Sequence, residues 1–499
     1  MKKKILFIAA LFATGVITSC KKDFLSLEVN PNTPSVTTPQ FALAGALKVA
    51  ADIPNNNYNT FGMWVGYVAP SGNFVPSPAL QQYQFTTDNF QVFTPLYQNA
   101  TNFDNLEKIS GDAANAKFKA IAKIMKAYDF QQLVDLYNNV PYTQAFNASV
   151  YLFPKYDKGD AIYADLVVQL VAAKALIDGN ASATDPGIND IVYGGDMNKW
   201  KKFANTLLLR LALRQSKASL NGGTAKAALP AITGPADLAS NYITLDSESG
   251  IANPGYTGGG FEGQQSPFWN NFGFDLTGNP KGASASVRAN AFAVELLRSY
   301  NDPRLAREYA VAGTTGTQRG ITFGDPNAPA NALTSTFGPG LLKAANMGAV
   351  LLSTSESLFL QAEAVNRNWI TLGDVVAKDL YTKGVQSSFV ALGLTATQAT
   401  TYLTQAQQNI SWNDSPDKIQ AIITQKYFSL NGYAFFEAWN EFKRTGFPVG
   451  VPRSIDPKAI GTGIPNRIFY PTTEYQQNAD AVGAEGTIDP FTSKIFWQP

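Results

Sequence analysis

The chain of 499 residues contains no histidine and a single cysteine, Cys20. The lack of histidine excludes Ser-His-Asp and Cys-His catalysis, HExxH zinc sites and every histidine-ligated metal centre. One cysteine forms neither an internal disulfide nor a cysteine-rich metal site. Charged residues make up only 15%, and 39 Lys and Arg balance 38 Asp and Glu, so no excess positive charge favours a nucleic-acid partner. The remaining possibilities are carboxylate chemistry and binding without chemistry.

Motifs for nucleotides and metals are also missing. No GxGxxG motif follows a predicted strand, and no GxxxxGK[ST] motif is present, so nucleotide cofactors have no support. The stretch DPNAPAN, which begins at Asp325, lacks the glycine and the terminal glutamate of a calcium-binding loop. We therefore expect no cofactor, no metal ligands and no catalytic residues.

The first twenty residues have the parts of a lipoprotein signal peptide. Lys2–Lys4 form a basic start, and the uncharged apolar run Ile5–Ile17 is shorter than the roughly 20 residues that span a bilayer. The run ends at Ile17-Thr18-Ser19-Cys20, which resembles a bacterial lipobox, in which the cysteine is acylated, for example with palmitate. Each buried methylene contributes about 0.8 kcal/mol, so two or three chains on Cys20 anchor a protein stably. The sequence predicts a signal peptide over 1–19 and a lipidated mature chain, 20–499; an ordinary signal peptide with an incidental cysteine is the alternative.

Helical periodicity dominates the mature chain, and irregular segments interrupt it. Helices are predicted over Thr38–Asp52, 89–109, 112–138, 160–178, 198–219, 288–300, 353–368, 371–391 and 415–443, the last with a break near Asn431-Gly432. These predict a mostly α fold with about four tetratricopeptide-like hairpins, although the roughly 34-residue repeat is not kept. The helical scaffold is assigned to about 36–52, 89–219 and 353–443. A loop-rich ligand layer is assigned to about 53–87 and 240–350, with short strands at Tyr242–Asp246 and Ile321–Phe323, all within a single domain.

Aromatic side chains in the loop-rich segments are the candidate ligand-binding residues. Residues 58–85 and 256–274 interleave rings with Asn, Gln and Gly. Flat rings contact the C–H faces of sugars and amides bond their hydroxyls, at roughly 0.5–1.5 kcal/mol per ring beyond area burial. The alternative is that these rings form the core of the loop-rich part. We expect tryptophans in Gly- and Asn-rich loops to be exposed. The selected residues are Trp64, Tyr67, Phe74, Trp269, Asn270 and Phe272.

One carboxylate pair provides an alternative function. Glu356 and Glu363 are seven residues apart on a predicted helix and therefore share a face, about 10 Å apart along the axis. Inverting glycosidases separate their two carboxyls by about 6.5–9.5 Å. A carboxylate-dependent glycoside hydrolase is therefore a second hypothesis, and packing of this face on a neighbouring helix is its structural alternative. A tetratricopeptide-type scaffold that binds other proteins is a third.

Several runs, taken together and in this order, resemble the SusD/RagB family of nutrient-binding outer-membrane lipoproteins, particularly its starch-binding-like branch. The resemblance covers nearly the whole chain and is carried by Cys20 with Phe24-Leu25, LVDLYNNVPYTQAF at 133–146, NKWKKFANTLLLRLALR at 198–214, NDPRL at 301–305, LLSTSESLFLQAEAVNR at 351–367, KIQAIITQKYFSLNGYAFFEAWNEFKRTGFP at 418–448 and RIFYPTTEYQQN at 467–478. One departure is Asn138-Asn139, where the family more often has Gly-Asp.

The resemblance implies a helical scaffold, a loop-rich ligand layer and no catalysis. It also implies a lipoprotein of the outer membrane that faces the cell exterior, captures an oligosaccharide or a peptide, and passes it to a SusC-like TonB-dependent barrel. Ligand residues vary across this family, so none is transferred from it. The six candidate residues therefore depend on their local chemistry alone.

Overall fold

The computed structural model describes residues 37–229, 241–259, 261–313, 315–371 and 376–499. The predictions about the signal peptide and about Cys20 lie outside these residues. Helices dominate the described chain, and they are α1 Pro39–Asn57, α2 Asn59–Trp64, α3 Pro78–Gln81, α4 Phe93–Ile109, α5 Ala116–Tyr137, α6 Gly159–Gly179, α7 Met197–Arg214, α8 Gly223–Ala227, α9 Pro267–Phe272, α10 Gly282–Ser286, α11 Ala291–Ser299, α12 Leu305–Glu308, α13 Thr354–Asn366, α14 Ala377–Ala391, α15 Ala396–Leu403, α16 Lys418–Leu430, α17 Phe435–Thr445, α18 Thr472–Gln477 and α19 Ala479–Gly483. The predicted mostly α class is confirmed.

Strands in the described residues are short and form antiparallel pairs. They are β1 Val68–Pro70, β2 Val140–Pro141, β3 Tyr156–Asp157, β4 Gly250–Ala252, β5 Val287–Ala289 and β6 Ala349–Leu352. β1 pairs with β5, β2 with β3, and β4 with β6. The pairs β1–β5 and β4–β6 join segments that are far apart in sequence, and they tie the loop-rich segments to each other and to the start of α13.

Side-chain caps begin several of the scaffold helices, among them α7 and α13. The Asp196 carboxylate accepts hydrogen bonds from the amides of Asn198 and Lys199 at 3.0 and 3.2 Å, which begins α7. Ser353 accepts from the amide of Glu356 at 3.2 Å and begins α13. Such caps satisfy N–H groups that have no partner inside the helix. The predicted helix bounds differ from the observed ones by only a few residues at most helix ends.

Three local predictions are wrong. Segment 53–87, expected to be irregular, contains α2 and α3 as well as β1. Tyr242–Asp246 is not a strand, and Ile321 forms only an isolated bridge with Asn290 instead of a strand over 321–323. Both predicted strands are short apolar runs, whose periodicity does not separate a strand from a buried loop.

The scaffold helices pack in sequence order and then close on themselves. α4 packs on α5, α5 on α6, and α6 on α7, while α13 packs on α7, α14 and α16. Asn138 ends α5 with a φ of 69°, a conformation that asparagine adopts more readily than most residues. Its Oδ1 accepts from the amide of Phe496 at 2.7 Å, so the turn also holds the C-terminal segment against the scaffold.

A network of buried ion pairs joins α5, α7, α13, α16 and α17. Arg214 lies 3.3 Å from the Asp135 carboxylate and 3.1 Å from that of Glu441, and it also pairs with Glu437. Lys426 lies 3.3 Å from Glu441. All of these side chains are buried. Charges in such a position are stable only when they are paired, so the network requires the helices to keep their present register.

The NDPRL run has a structural role in a second apolar cluster of the scaffold. Arg304 is buried and forms an ion pair with Asp302 at 2.6 Å. Its guanidinium lies 4.9 Å from the ring centroids of both Phe389 and Phe428, and it donates to Gln425 at 2.6 Å. Arginine suits this position because its planar cation both stacks on rings and forms several hydrogen bonds.

Candidate ligand-binding site in the loop layer

We use the term loop layer for residues 65–92 and 241–348, which connect the helices of the scaffold. Of the six predicted ligand residues, Tyr67 and Phe272 lie in this layer as buried side chains, Trp269 and Asn270 as half-buried ones and Phe74 as an exposed one, while Trp64 directly precedes the layer.

Trp64 and Tyr67 are core residues, and the expectation that Trp64 is exposed is wrong. Trp64 has no exposed surface, and its ring lies 5.9 Å from that of Trp439 on α17. Tyr67 stacks on Tyr427 at 4.2 Å between ring centroids. Trp64 is buried because it lies on helix α2. Tyr58, Phe61 and Trp64 are each three residues apart, which places their rings on one face of that helix. That spacing was the available signal in the sequence.

Phe74 lies on an exposed loop that follows β1, and 54% of its surface is exposed. The loop is held from below by Asn331, whose amide N–H donates to the Asn73 side chain at 3.1 Å and whose Oδ1 accepts from the Ser71 hydroxyl. Gly72 has no space for a side chain, since a Cβ there would lie 2.3 Å from the carbonyl oxygen of Ala328. The Phe74 ring therefore extends from a braced loop rather than from a free one.

Phe272 is buried, so its side chain offers almost no surface to a ligand. It lies on the inner face of α9, and its ring centroid is 4.9 Å from that of Phe337. Trp269 is half-buried on the same helix. Its indole N–H donates to the Phe274 carbonyl at 3.1 Å, and the two rings are 5.9 Å apart with their planes at 63°. One edge of the indole is thus fixed while part of the ring faces solvent.

Asn270 is half-buried, and its amide is engaged within the protein. Its Nδ2 donates to the Gln265 carbonyl at 3.0 Å, and its Oδ1 accepts from the Lys281 ammonium at 2.8 Å. Lys281 also donates to the Gln265 side chain at 2.7 Å. The amide therefore positions Lys281 and orders the segment between α9 and α10, rather than pointing unpaired into solvent.

Two exposed rings were not selected from the sequence, Phe261 at 68% and Phe274 at 40% exposure. Phe274 begins a tight turn in which the Asp275 carboxylate accepts from the amides of Thr277 and Asn279 at 2.9 and 2.8 Å. These bonds, with that of the Thr277 hydroxyl the largest cause, lower the pKa of Asp275 to about 2. The Asp275 carboxyl is therefore ionised near neutral pH, and its hydrogen bonds order the turn. Aromatic residues beside a DxTxN turn were the available signal.

We call Phe74, Trp269, Phe274 and Phe261 the ring surface. Hydrogen bonds to helix α10 connect the Phe74 loop with the segment that carries Trp269 and Phe274. The Ser71 amide donates to the Ser286 carbonyl at 2.8 Å, and the Asn331 side chain donates to the Ala285 carbonyl at 2.8 Å. Because helix α10 leads from these residues back to Lys281, the Phe74 loop and the Trp269 segment belong to one part of the loop layer.

The carboxylates of the hydrolase hypothesis are not at any surface. Glu356 and Glu363 are each 1% exposed; Glu356 lies 2.9 Å from Arg210, and Glu363 accepts two hydrogen bonds of 2.7 Å from Arg444. Burial by itself would raise the pKa of Glu363, but Arg444 and Arg367 lower it below its ordinary value. Both carboxylates form ion pairs inside the scaffold, so they do not flank a substrate.

Metal-binding clusters and membrane-spanning helices are both absent from the described residues. No group of three or more acidic, cysteine or histidine side chains in that part of the chain is arranged to hold a metal ion. Likewise, none of the described helices is long and apolar enough to cross a bilayer. What the loop layer offers chemically is exposed aromatic surface on ordered turns.

The fold is that of SusD proteins. A SusD homologue from Bacteroides fragilis superposes with a TM-score of 0.74 at 21% identity, over 93% of this chain and 99% of that one. A SusD-like protein from Bacteroides thetaiotaomicron gives 0.72 at 22% identity, over 89% and 95%. A chitin-binding SusD homologue from Flavobacterium johnsoniae gives 0.72 at 19% identity, over 91% and 98%. No curated protein matches the sequence.

Sequence comparison identifies the family itself. The profile of the SusD-like family, described as starch-binding and associating with the outer membrane, matches residues 31–471. The chain belongs to this family. The resemblance stated from the sequence is therefore confirmed.

Proposed function

We propose that this protein is a cell-surface lipoprotein that captures an oligosaccharide at the ring surface and delivers it to a SusC-like TonB-dependent transporter in the outer membrane. The observation that carries the proposal is the ring surface of a chain in the SusD-like family: Phe74, Phe261 and Phe274 are exposed, and Trp269 is half-buried on α9. Exposed aromatic rings on a braced backbone bind the C–H faces of sugars at little cost in conformational entropy. A peptide is the alternative ligand.

The lipid anchor is the second part of the proposal. The lipobox at Ile17–Cys20 supports acylation of Cys20, and the family description supports association with the outer membrane. Labelled palmitate should enter the wild-type protein in cells and should not enter a Cys20→Ser variant. If the wild-type protein takes up no label, the anchor is wrong, while binding by the ring surface remains to be judged on its own experiment.

Calorimetry tests the ligand. Maltohexaose, chitohexaose and a panel of short peptides are titrated into wild type, into Phe74→Ala/Trp269→Ala and into Phe41→Ala. Phe41 is an exposed phenylalanine near the start of α1 and serves as the matched control. The α9 helix contacts the other end of α1, where Asn271 donates to the Asn55 carbonyl, about 21 Å away along the helix axis. We expect a glycan to bind wild type and Phe41→Ala equally, and the double variant about tenfold or more weakly. Binding of peptides alone would reassign the ligand, and hydrolysis of any probe would overturn the proposal that the protein is not an enzyme.

Delivery to a barrel is tested with the full chain in its own membrane. Detergent extracts should yield the protein in complex with a TonB-dependent barrel, and deletion of that barrel should abolish uptake of the glycan while surface binding continues. If uptake is normal without any barrel that co-purifies, the delivery step is wrong.

A further inference from the structure

A second concave surface lies in the helical scaffold, outside the loop layer. It is a groove of about 720 Å³ between α4, the segment that follows β2, and α18. This volume is typical of sites that hold small organic ligands. The groove shares no residue with the ring surface, so its chemistry can be considered separately.

One face of α4 forms a wall of the groove and carries no charge. Thr94, Gln98, Thr101 and Asn105 line it at spacings of four, three and four residues, which is the period of one helical face. Gln98 and Asn105 are exposed, and their amides form no hydrogen bond with any other described residue. A helix face next to solvent is more often charged, so a run of hydroxyls and amides indicates a neutral hydrogen-bonding partner.

Rings and apolar side chains complete the lining of the groove. Tyr97, which also lies on α4, is fixed by its hydroxyl, which donates to the Pro141 carbonyl, and its ring centroid is 6.4 Å from that of Phe146. Tyr151 is 40% exposed and Leu152 is 71% exposed, and both line the rim. The groove therefore combines C–H-binding rings with unpaired amides, the same pair of features that suits sugars in the loop layer.

The charge of the groove argues against other ligands. Glu474 is the only charged side chain among the lining residues, it has no ion-pair partner, and the Tyr156 hydroxyl donates to it at 2.5 Å. None of the lining residues is a cation, and Lys108, which donates to the Phe146 carbonyl at 3.3 Å, is already paired with Asp104, so little in the groove attracts an anionic ligand. A fatty acyl chain would bury Gln98 and Asn105 without hydrogen-bond partners, which is costly. Hydroxyl groups of a neutral glycan satisfy the amides and the carboxylate alike.

We propose that this groove is a second binding site for a neutral oligosaccharide, located in the helical scaffold and independent of the ring surface. The inference rests on the proposed function in that it assumes a glycan ligand. It adds a site to that function: a long glycan would contact the protein at two separate positions, which raises avidity when both are occupied by one chain.

Methyl NMR of the full mature chain distinguishes the two sites. Leu152 reports on the groove because it is an exposed aliphatic residue that lines it, and Val75 reports on the ring surface because it is exposed and directly follows Phe74. Chitohexaose and maltohexaose are titrated into wild type, Gln98→Ala/Asn105→Ala and Asn102→Ala. Asn102 is exposed on α4 but does not line the groove, so it matches the amide substitution without touching the site.

We expect the Leu152 signal of wild type to shift saturably with at least one of the two glycans. The double variant should raise the apparent Kd at Leu152 about tenfold and leave the response of Val75 unchanged, since two hydrogen bonds are lost at the groove only. Asn102→Ala should behave as wild type.

Two other results overturn the inference. If Val75 shifts and Leu152 does not, the groove is no glycan site, whereas the proposed function stands. If neither signal responds to either glycan, the second site is wrong, and the calorimetric series decides the proposed function separately. A shift of Leu152 alone supports the groove and removes the ring surface from the binding scheme.

Discussion

The scaffold buries charged side chains, whereas the loop layer exposes several aromatic ones. In the scaffold, Arg214 and Glu437 are buried and paired, while in the loop layer Phe74 is exposed to solvent. Trp64 and Phe74 differ in the same way, although they lie only ten residues apart. A side chain that faces a packed helix is buried whether it is charged or aromatic, as Arg214 and Trp64 are. A ring on a surface loop held by hydrogen bonds, such as Phe74, stays exposed to solvent. Four predictions test this difference.

Breaking the buried network should give the largest effect. Replacing Arg214 with Ala leaves the carboxylates of Asp135, Glu437 and Glu441 close together without that cation, and we expect a loss of about 3–5 kcal/mol in the free energy of unfolding. Urea denaturation measures it. Arg298→Ala is the control, because Arg298 pairs with Glu295 at the surface, where such a pair contributes about 0–1 kcal/mol. Equal losses in the two variants would contradict a special role for burial.

The two aromatic residues should separate stability from binding. Trp64→Ala removes a fully buried ring, and we expect a loss of about 3–5 kcal/mol in the free energy of unfolding. Phe74→Ala should change it by about 0.5 kcal/mol or less. Thermal and urea denaturation of both variants provide the comparison. A destabilisation by Phe74→Ala as large as that by Trp64→Ala would mean that the ring is part of the core.

The free energy of unfolding should depend on pH through the buried carboxyl of Glu308. Burial raises the pKa of Glu308 from 4.5 to about 8, although Asn431 donates to it and Arg304 is near. The folded protein therefore binds a proton that the unfolded chain has released, and stability falls as the pH rises from about 5 to about 8. Glu308→Gln should remove this loss, at about 1.4 kcal/mol per pKa unit.

The Glu308 measurement compares urea denaturation of wild type and Glu308→Gln at several pH values in that range. The two proteins should be closest in stability near pH 5, and the variant should be progressively favoured toward pH 8. Parallel stability curves across this range would show that Glu308 titrates normally. Glu363 provides the opposite sign, because Arg444 and Arg367 lower its pKa despite burial; its contribution is present above about pH 4.5 and is lost on acidification below that.

The smallest effect is expected for a single ring of the ring surface. Trp269→Ala should weaken glycan binding by about 0.5–1.5 kcal/mol, or roughly two- to twelvefold, because one stacking contact is lost. Calorimetry measures this change. Asn270→Asp is the partner variant: it keeps the shape and the contact with Lys281 but loses the hydrogen bond to the Gln265 carbonyl. A similar loss of affinity there would indicate that the order of the α9 segment, rather than the indole itself, determines affinity.

Helix periodicity predicted the scaffold well, because it depends on residues only a few positions apart. The caps at Asp196 and Ser353 act over the same short range, although the prediction did not use them. Family runs such as NDPRL and the α5 terminus were also visible in the sequence. Their roles were not: that Arg304 stacks on Phe389, or that Asn138 holds Phe496, depends on residues far away in the chain.

The candidate site was predicted only in part. Phe74 and Trp269 were selected and retain exposed surface, whereas Trp64, Tyr67 and Phe272 were selected on the same composition and are buried. Composition does not state which side of a helix faces the core, and α2 and α9 each turn their rings toward a partner distant in sequence, Trp439 and Phe337. The spacing of the α2 rings was informative and was missed.

The sequence by itself determined the mostly α class, the missing histidine chemistry and the family, because each follows from local periodicity, composition or ordered motifs. Tertiary structure alone decided which rings remain in solvent, that Glu356 and Glu363 are paired inside the scaffold, and where a groove opens beside α4. Burial and ion pairing depend on the distance between residues that lie far apart along the chain, and no local pattern carries that distance.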